Sequence, residues 1–201
     1  MSIKLERQRI STEMHDEIGA GISAIKLYTE LASRNREDVE EIREIGVMVN
    51  DIVTKINEII WSINSETDSL ESLLYYIEEQ TRKLFDHSSI KYSVVFPTTI
   101  PKIKIVNDVK RNIYLIIKET CNNVIKHSQA TTVNINISIS NGLLIVIIKD
   151  DGIGFNPNEV RVNAMGLSNL KFRAERLNAS LIFANYKGTV VTVRIPLKSL
   201  Y

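Results

Sequence analysis

The stretch LLIVIIKDDGIGF, residues 143–155, is an apolar run that stops abruptly at two aspartates and two glycines. Its first six residues are leucine or β-branched, a composition that suits a strand. Asp150, Gly152 and Gly154 then follow in a D-x-G-x-G spacing. Glycines at such a place let backbone amides approach a ligand closely. An aspartate at a strand end can accept a hydrogen bond from the exocyclic amine of a base. Taken by itself the stretch also reads as a glycine-rich turn after a strand.

The neighbouring residues extend this strand into a mixed α and β region. TTVNINISIS (131–140), Asn141-Gly142 and the apolar run form the plainest hairpin in the chain, since Asn-Gly suits the left-handed angles of a two-residue turn. SLIFAN (180–185), Tyr186-Lys187-Gly188 and TVVTVRIP (189–196) predict a second hairpin. IKYSVVFP (90–97) predicts a further strand. Asp68 and Glu71 are spaced as a capping box opening a helix that runs to about Asp86. In NDVKRNIYLIIKETCNNVIKHS (107–128), Ile113, Ile116, Ile117, Cys121, Val124 and Ile125 mark the apolar face of a helix. MGLSNLKFRAERLN (165–178) is another helix, with Asn178 placed for a left-handed cap.

Before residue 65 the pattern changes. No proline occurs there, and Met14, Ile18, Gly21, Ile25, Tyr28 and Ala32 recur at alternating steps of four and three. Ile42, Ile45, Val49, Ile52, Ile56, Ile59 and Ile63 do the same. Such spacing places an apolar seam on each of two long helices. The polar stretch Ser33 to Asp38 joins them, and Asp38 with Glu41 has capping-box spacing. A short joint makes the helices antiparallel neighbours. Two helices enclose a thin core, whereas a pair of hairpins makes a four-helix bundle, so a homodimer is expected. Trp61 and Asn64 end the second helix, where the two regions meet.

Composition narrows the function classes. Basic and acidic residues number 25 and 24, so no strong field favours direct contact with nucleic acid or an acidic membrane surface. The single cysteine, Cys121, excludes an internal disulfide and fits a reducing compartment as a buried thiol. No segment approaches the roughly 18 uninterrupted apolar residues of a bilayer span, and no signal peptide is evident. The expected location is the cytoplasm, with membrane attachment only through a region outside this sequence.

Three further stretches carry chemistry. In KETCNNVIKHS (118–128), Glu119 and Asn123 share a helix face, with Lys126 and His127 close by. A carboxylate and an amide oxygen are hard ligands suited to Mg²⁺, and a lysine one turn on meets phosphate as a point charge. The same residues also read as a solvated helix face. Gly166 and Leu167 open a helix after the loose stretch Asn156 to Met165; a helix N-terminus presents free amides to phosphate, and the preceding loop is placed to act as a lid. Thr189 begins the last strand.

In this order and spacing, these stretches resemble the nucleotide-binding domain shared by sensor histidine kinases, Hsp90, gyrase and the MutL proteins, over roughly residues 70–197. The resemblance implies an α/β-sandwich ATP-binding domain of that type over residues 67–201, with ATP and Mg²⁺ as cofactors. It implies that Asp150 binds adenine and Asn123 binds Mg²⁺. Glu119 orders a Mg²⁺-bound water, and Lys126 and His127 approach the phosphates. Gly152 and Gly154 form the first glycine box, Gly166 and Leu167 belong to the second, and Thr189 lies near adenine.

The N-terminal region selects among those families. ERQRISTEMHDEIG (6–19) resembles the phosphoacceptor motif of two-component sensor histidine kinases, in the branch of the nitrate sensors and the lipid-desaturase thermosensor. NNVIKHSQA and MGLSNLKFRAERL resemble the same branch. The fold expected is therefore α+β: a dimerisation and phosphoacceptor hairpin over 1–66, a four-helix bundle as a dimer, followed by the ATP-binding domain. His15 is turned about 100° from Met14 on the apolar seam, so its imidazole reaches the bundle surface. A neutral imidazole is a competent nucleophile near neutral pH. Asp16 is placed to orient it and take up its proton. Gly19, one turn on, either clears room for access to His15 or, with Gly21, eases helix packing. Ala20 stands where relatives that dephosphorylate their partner often carry Gln or His, which implies weak phosphatase activity. The implied partner is the receiver domain of a response regulator, expected to be a DNA-binding transcription factor. Two other readings stay open: an ATPase or serine kinase on the same nucleotide domain, and a non-catalytic dimerising scaffold with a degenerate ATP site.

Overall fold

In the computed structural model the run 143–148 is the middle of a five-stranded sheet, and everything else in its domain is arranged around it. The structure describes residues 21, 24, 25, 27, 28, 31, 39–64, 68–154 and 165–201. His15, Asp16, Gly19, Ala20, the joint at 33–38 and the stretch 156–164 lie outside the described residues. The chain divides into two compact units, Met1–Ile63 and Asn64–Tyr201.

In the first unit, the described residues between 21 and 31 are helical, and helix α1 spans Val39–Ile63. The two segments run antiparallel. Gly21 faces Ile52, and Tyr28, further along the first segment, hydrogen-bonds Glu44, earlier in α1. A Cβ on Gly21 would sit 2.6 Å from Ile52 Cδ1, so at this seam position glycine permits close helix packing. The Tyr28 hydroxyl donates to Glu44, and this bond to the carboxylate raises the phenol pKa above its ordinary value.

The second unit begins with α2 (Leu70–Asp86), β1 (Lys91–Val95) and α3 (Asn107–His127). The hairpin β2 (Thr132–Ser140) and β3 (Leu143–Asp150) follows, then α4 (Met165–Arg176), then β4 (Ser180–Asn185) and β5 (Thr189–Pro196). Strand order is β1-β2-β3-β5-β4; β1 pairs in parallel with β2 and the other pairs are antiparallel. Asn141 and Gly142 take φ of 51° and 73°, the left-handed turn that their identities predict. Asn178 takes φ 50° after α4.

Alternation along the strands makes one sheet face the core. Val133, Ile135 and Ile137 on β2, Leu144, Val146 and Ile148 on β3, and Val193 and Ile195 on β5 are all nearly inaccessible. Helices α2, α3 and α4 pack on this sheet through contacts with β1, β3 and β4 respectively. α3 contributes Ile113, Ile116, Ile117, Cys121 and Val124; α2 contributes Leu70, Leu73, Leu74, Ile77 and Phe85. Burial of this kind stabilises by roughly 1.5–3 kcal/mol per large side chain. Burial also pushes the Cys121 thiol up to about 12, so it stays protonated.

The start of α2 departs from the capping box expected at Asp68 and Glu71. Ser69 is the N-cap: its hydroxyl accepts from Ser72 N at 3.1 Å and donates to Ser72 Oγ at 2.8 Å. Asp68 is drawn away by Lys110, whose ammonium lies 2.9 Å from its Oδ1.

Candidate functional site

The inner face of β3 is apolar through Ile148 and ends in a carboxylate. Asp150 stands opposite Val133 of β2 and is only 3% exposed. A buried carboxylate is costly unless it accepts hydrogen bonds. Its Oδ1 accepts from Gly152 N at 2.9 Å and from Thr189 N at 3.1 Å. Both bonds use one oxygen, so Oδ2 keeps acceptor capacity.

Two glycines make this arrangement sterically possible. The turn after β3 lies against the end of α3, where Ile153 N donates to the Ser128 carbonyl at 2.8 Å. A Cβ on Gly152 would collide with that same carbonyl oxygen. Gly188, at φ 117°, lies against the Asp150 backbone, where a Cβ would meet the Asp150 carbonyl oxygen. Gly188 reads in the sequence only as part of a hairpin turn. Its second task depends on a neighbour across space.

Asp150 borders a pocket of about 570 Å³, within the range of small-molecule sites. From α3 come Glu119, Thr120, Asn122, Asn123, Val124, Lys126 and His127, followed by Ser128. The sheet supplies Ile148, Asp150, Phe183, Thr189 and Val191. The glycine turn supplies Gly154, and α4 supplies Gly166, Leu167 and Leu170. Every residue singled out in this domain thus borders one cavity except Gly152, which supports it from behind. A Cβ on Gly166 would come 2.5 Å from Glu119 Oε1, so the start of α4 is held close to the Glu119 carboxylate. Arg173 Nη1 donates to Asn112 Oδ1 at 3.1 Å and Arg176 Nη2 to Asp108 Oδ2 at 3.0 Å, which fastens α4 along α3.

Sequence reading misses the apolar part of the lining. Ile148, Val191 and Phe183 are register partners across β3, β5 and β4 and form one row. The signal is the strand period of two: Ile148 precedes Asp150 and Val191 follows Thr189 by two residues, on the same face. The pocket therefore sets an apolar row and a buried acceptor on the sheet side against the Glu119 and Asn123 oxygens, the Lys126 ammonium and the His127 ring on α3. Among the described residues no cluster of three or more His, Cys, Asp or Glu side chains forms a self-sufficient metal site. Among them, too, no helix is long and apolar enough to cross a membrane.

Comparison with known proteins gives this geometry a family. Residues 108–199 match the histidine kinase-, DNA gyrase B- and HSP90-like ATPase family, and residues 6–68 match a histidine kinase family. The chain is 26% identical to the sensor histidine kinase LiaS of Bacillus subtilis (strain 168), over 97% of this chain and 55% of that protein. It is 27% identical to the sensor histidine kinase DesK of the same organism, over 96% of this chain and 52% of that protein. The chain thus spans about half the length of the curated relatives it matches. In fold it is similar to the histidine kinase domain of the Erythrobacter litoralis EL346 blue-light activated histidine kinase. That match has a TM-score of 0.58 at 18% identity, over 98% of this chain and 94% of the other. The chain thus carries a histidine kinase region at its N-terminal end and, over the domain that holds the pocket, an ATPase domain of the histidine kinase-, DNA gyrase B- and HSP90-like family.

Proposed function

We propose that the chain is the catalytic core of a two-component sensor: it binds MgATP, phosphorylates its own His15 and donates that phosphate to an aspartate of a response regulator. The observation that carries the reading is the convergence of Asp150, Thr189, Asn123, Glu119, Lys126, His127 and Gly166 on one pocket. The domain boundaries we assign are 1–66 for the phosphoacceptor hairpin and 67–201 for the nucleotide domain.

Each residue has a task in this reading. The free Oδ2 of Asp150 accepts the exocyclic amine of adenine, and the apolar row of Ile148, Val191 and Phe183 covers the ring faces. Lys126 and His127 meet phosphate oxygens, with the first amides of α4 at Gly166 and Leu167 adding donors. Asn123 and Glu119 present oxygen donors suited to Mg²⁺, which keeps water and phosphate ligands and needs few from the protein. Held there, Mg²⁺ would supply neutralisation of charge on the phosphates. One ring nitrogen of His15 attacks the terminal phosphorus in line, while Asp16 orients the ring and takes the proton from the other nitrogen. ADP leaves with the electron pair of the broken bond. Net charge near zero gives no reason for the chain itself to contact DNA, and the reaction belongs to the cytoplasm.

A homodimer fits the first unit. Ile42, Val49, Val53 and Ile60 on α1 are 65%, 41%, 49% and 55% exposed. At about 100° per residue they fall within one narrow stripe. That stripe lies to one side of the Ile52 seam used within the hairpin, which is the arrangement a four-helix bundle needs.

The test is incubation with γ-labelled ATP and Mg²⁺. The parent takes up label, His15→Ala takes up none yet still binds ATP, and Asn123→Ala loses at least about a hundredfold in labelling rate. Label uptake by His15→Ala equal to the parent contradicts the reading.

A further inference from the structure

The sheet has a second face, turned away from the core. On β2 its positions are polar, with Asn134, Asn136 and Ser138 between the buried Val133, Ile135 and Ile137, as a solvated face requires. β3 does not alternate. Leu143, Ile145 and Ile147 point outward and are partly exposed, next to the buried Leu144, Val146 and Ile148. Such an unbroken apolar run is the composition of a strand covered on both sides. Ile182 of β4, 43% exposed, shares a cross-strand row with Ile147 through Thr192. Charge on this face has one sign. The five strands hold a single carboxylate, that of Asp150, which borders the pocket on the other face; their cations are Lys91, Lys149 and Arg194. Arg194 stands opposite Ile145, and Lys149 follows Ile147 at the end of the stripe, its ammonium 5.2 Å from the centre of the Tyr186 ring. Among the described residues neither Lys149 nor Arg194 makes an ion pair. Asp151, just past β3, is engaged by Thr131 and Thr132.

We propose that this face docks an amphipathic helix of a partner protein, one whose apolar stripe is flanked by carboxylates. The inference does not depend on the kinase reading above. Its basis is complementarity of spacing and of charge. Leu143, Ile145 and Ile147 recur about every 6.8 Å along β3. Residues four apart on a helix recur about every 6 Å, so a helix laid along β3 sets one apolar side chain against each of them. Arg194 beside the stripe and Lys149 at its end then meet the acidic flanks, and the absence of any outward carboxylate on the strands leaves nothing to repel them. Two other occupants fit less well. Recognition of anionic lipid takes clusters of about four to eight basic residues, and the strands supply three. A second copy joined face to face would set like charges against each other.

The experiment measures binding of two labelled helical peptides of about 18 residues, with leucines four and three apart. One carries glutamates on both flanks of the leucine stripe; its twin carries lysines there. The whole chain is compared with Lys149→Glu/Arg194→Glu and with Ile145→Ser/Ile147→Ser. The parent is expected to bind the acidic peptide at least about tenfold tighter than the twin, and the charge-reversed variant to invert that order. The serine variant is expected to lose about fivefold or more in affinity for the acidic peptide. Should the charge-reversed variant lose cooperative unfolding, Lys149→Gln/Arg194→Gln replaces it, and the expected preference for the acidic peptide is then lost. The proposal is overturned if the parent prefers neither peptide, if the preference survives the charge change, or if the serine variant binds the acidic peptide as the parent does. A parent that prefers neither peptide yet sediments with phosphatidylglycerol vesicles overturns it in favour of a lipid surface. A charge-reversed variant that differs from the parent in oligomeric state overturns it in favour of a second copy.

Discussion

The Asp151 carboxylate accepts the Thr131 hydroxyl at 2.7 Å and the amides of Thr131 and Thr132 at 2.8 Å each. It thereby ties the start of β2 to the turn that carries Asp150 and Gly152. The Thr131 hydroxyl first, then the Thr132 amide, hold its carboxyl well below the usual carboxylate range. A carboxyl depressed in the folded state stabilises above the ordinary aspartate pKa, and the contribution disappears as pH falls through the folded value. Asp151→Asn is therefore expected to lower the unfolding midpoint at about pH 6, and the gap from the parent to shrink steadily below about pH 4. A gap that stays constant over that range assigns the effect to shape and not to charge. Asp150 was legible in the sequence because it opens a D-x-G-x-G spacing at the end of an apolar strand. Asp151 and Gly188 were not, because their partners, Thr131 and the Asp150 backbone, are set by strand pairing and not by local spacing.

At the scale of elements, periodicity carried most of the fold. α1 and α3 lie where steps of three and four place them, the β2–β3 hairpin where the Asn141-Gly142 turn does, and the β4–β5 hairpin where Tyr186-Lys187-Gly188 separates two strand-like runs. The start of α2 was misread since Asp68 and Ser69 are both good caps, and the deciding factor, the Lys110 ammonium, is 42 residues away in sequence. The strand order, with β5 between β3 and β4, was beyond local pattern for the same reason. The α1 stripe makes a prediction of its own. Val53→Glu places a charge in the middle of the proposed dimer face, where burial without a partner is strongly unfavourable. Light scattering or sedimentation is expected to show the parent as a dimer and the variant shifted to monomer. A variant that stays dimeric at the parent's concentration shows that this stripe is not the interface.

Across the whole molecule, the ordering of the sequence stretches was more informative than any one of them. Asn123, Asp150, Gly166 and Thr189 are spread over more than sixty residues and four elements, yet they border the same cavity. What no local pattern disclosed was the scaffolding around them: the pairing of Phe183 with Val191, the Arg173 and Arg176 ties along α4, and the buried Lys110. Each depends on packing between separate elements. The central claim is that the nucleotide held by the second unit phosphorylates a histidine of the first, and the chemical character and position of the incorporated phosphate test it most directly. After incubation with labelled MgATP, the label is expected to be stable to base, labile to acid, and confined to the peptide containing His15. Acid-stable label on a serine or threonine, or release of inorganic phosphate with no label on the chain, would contradict the account.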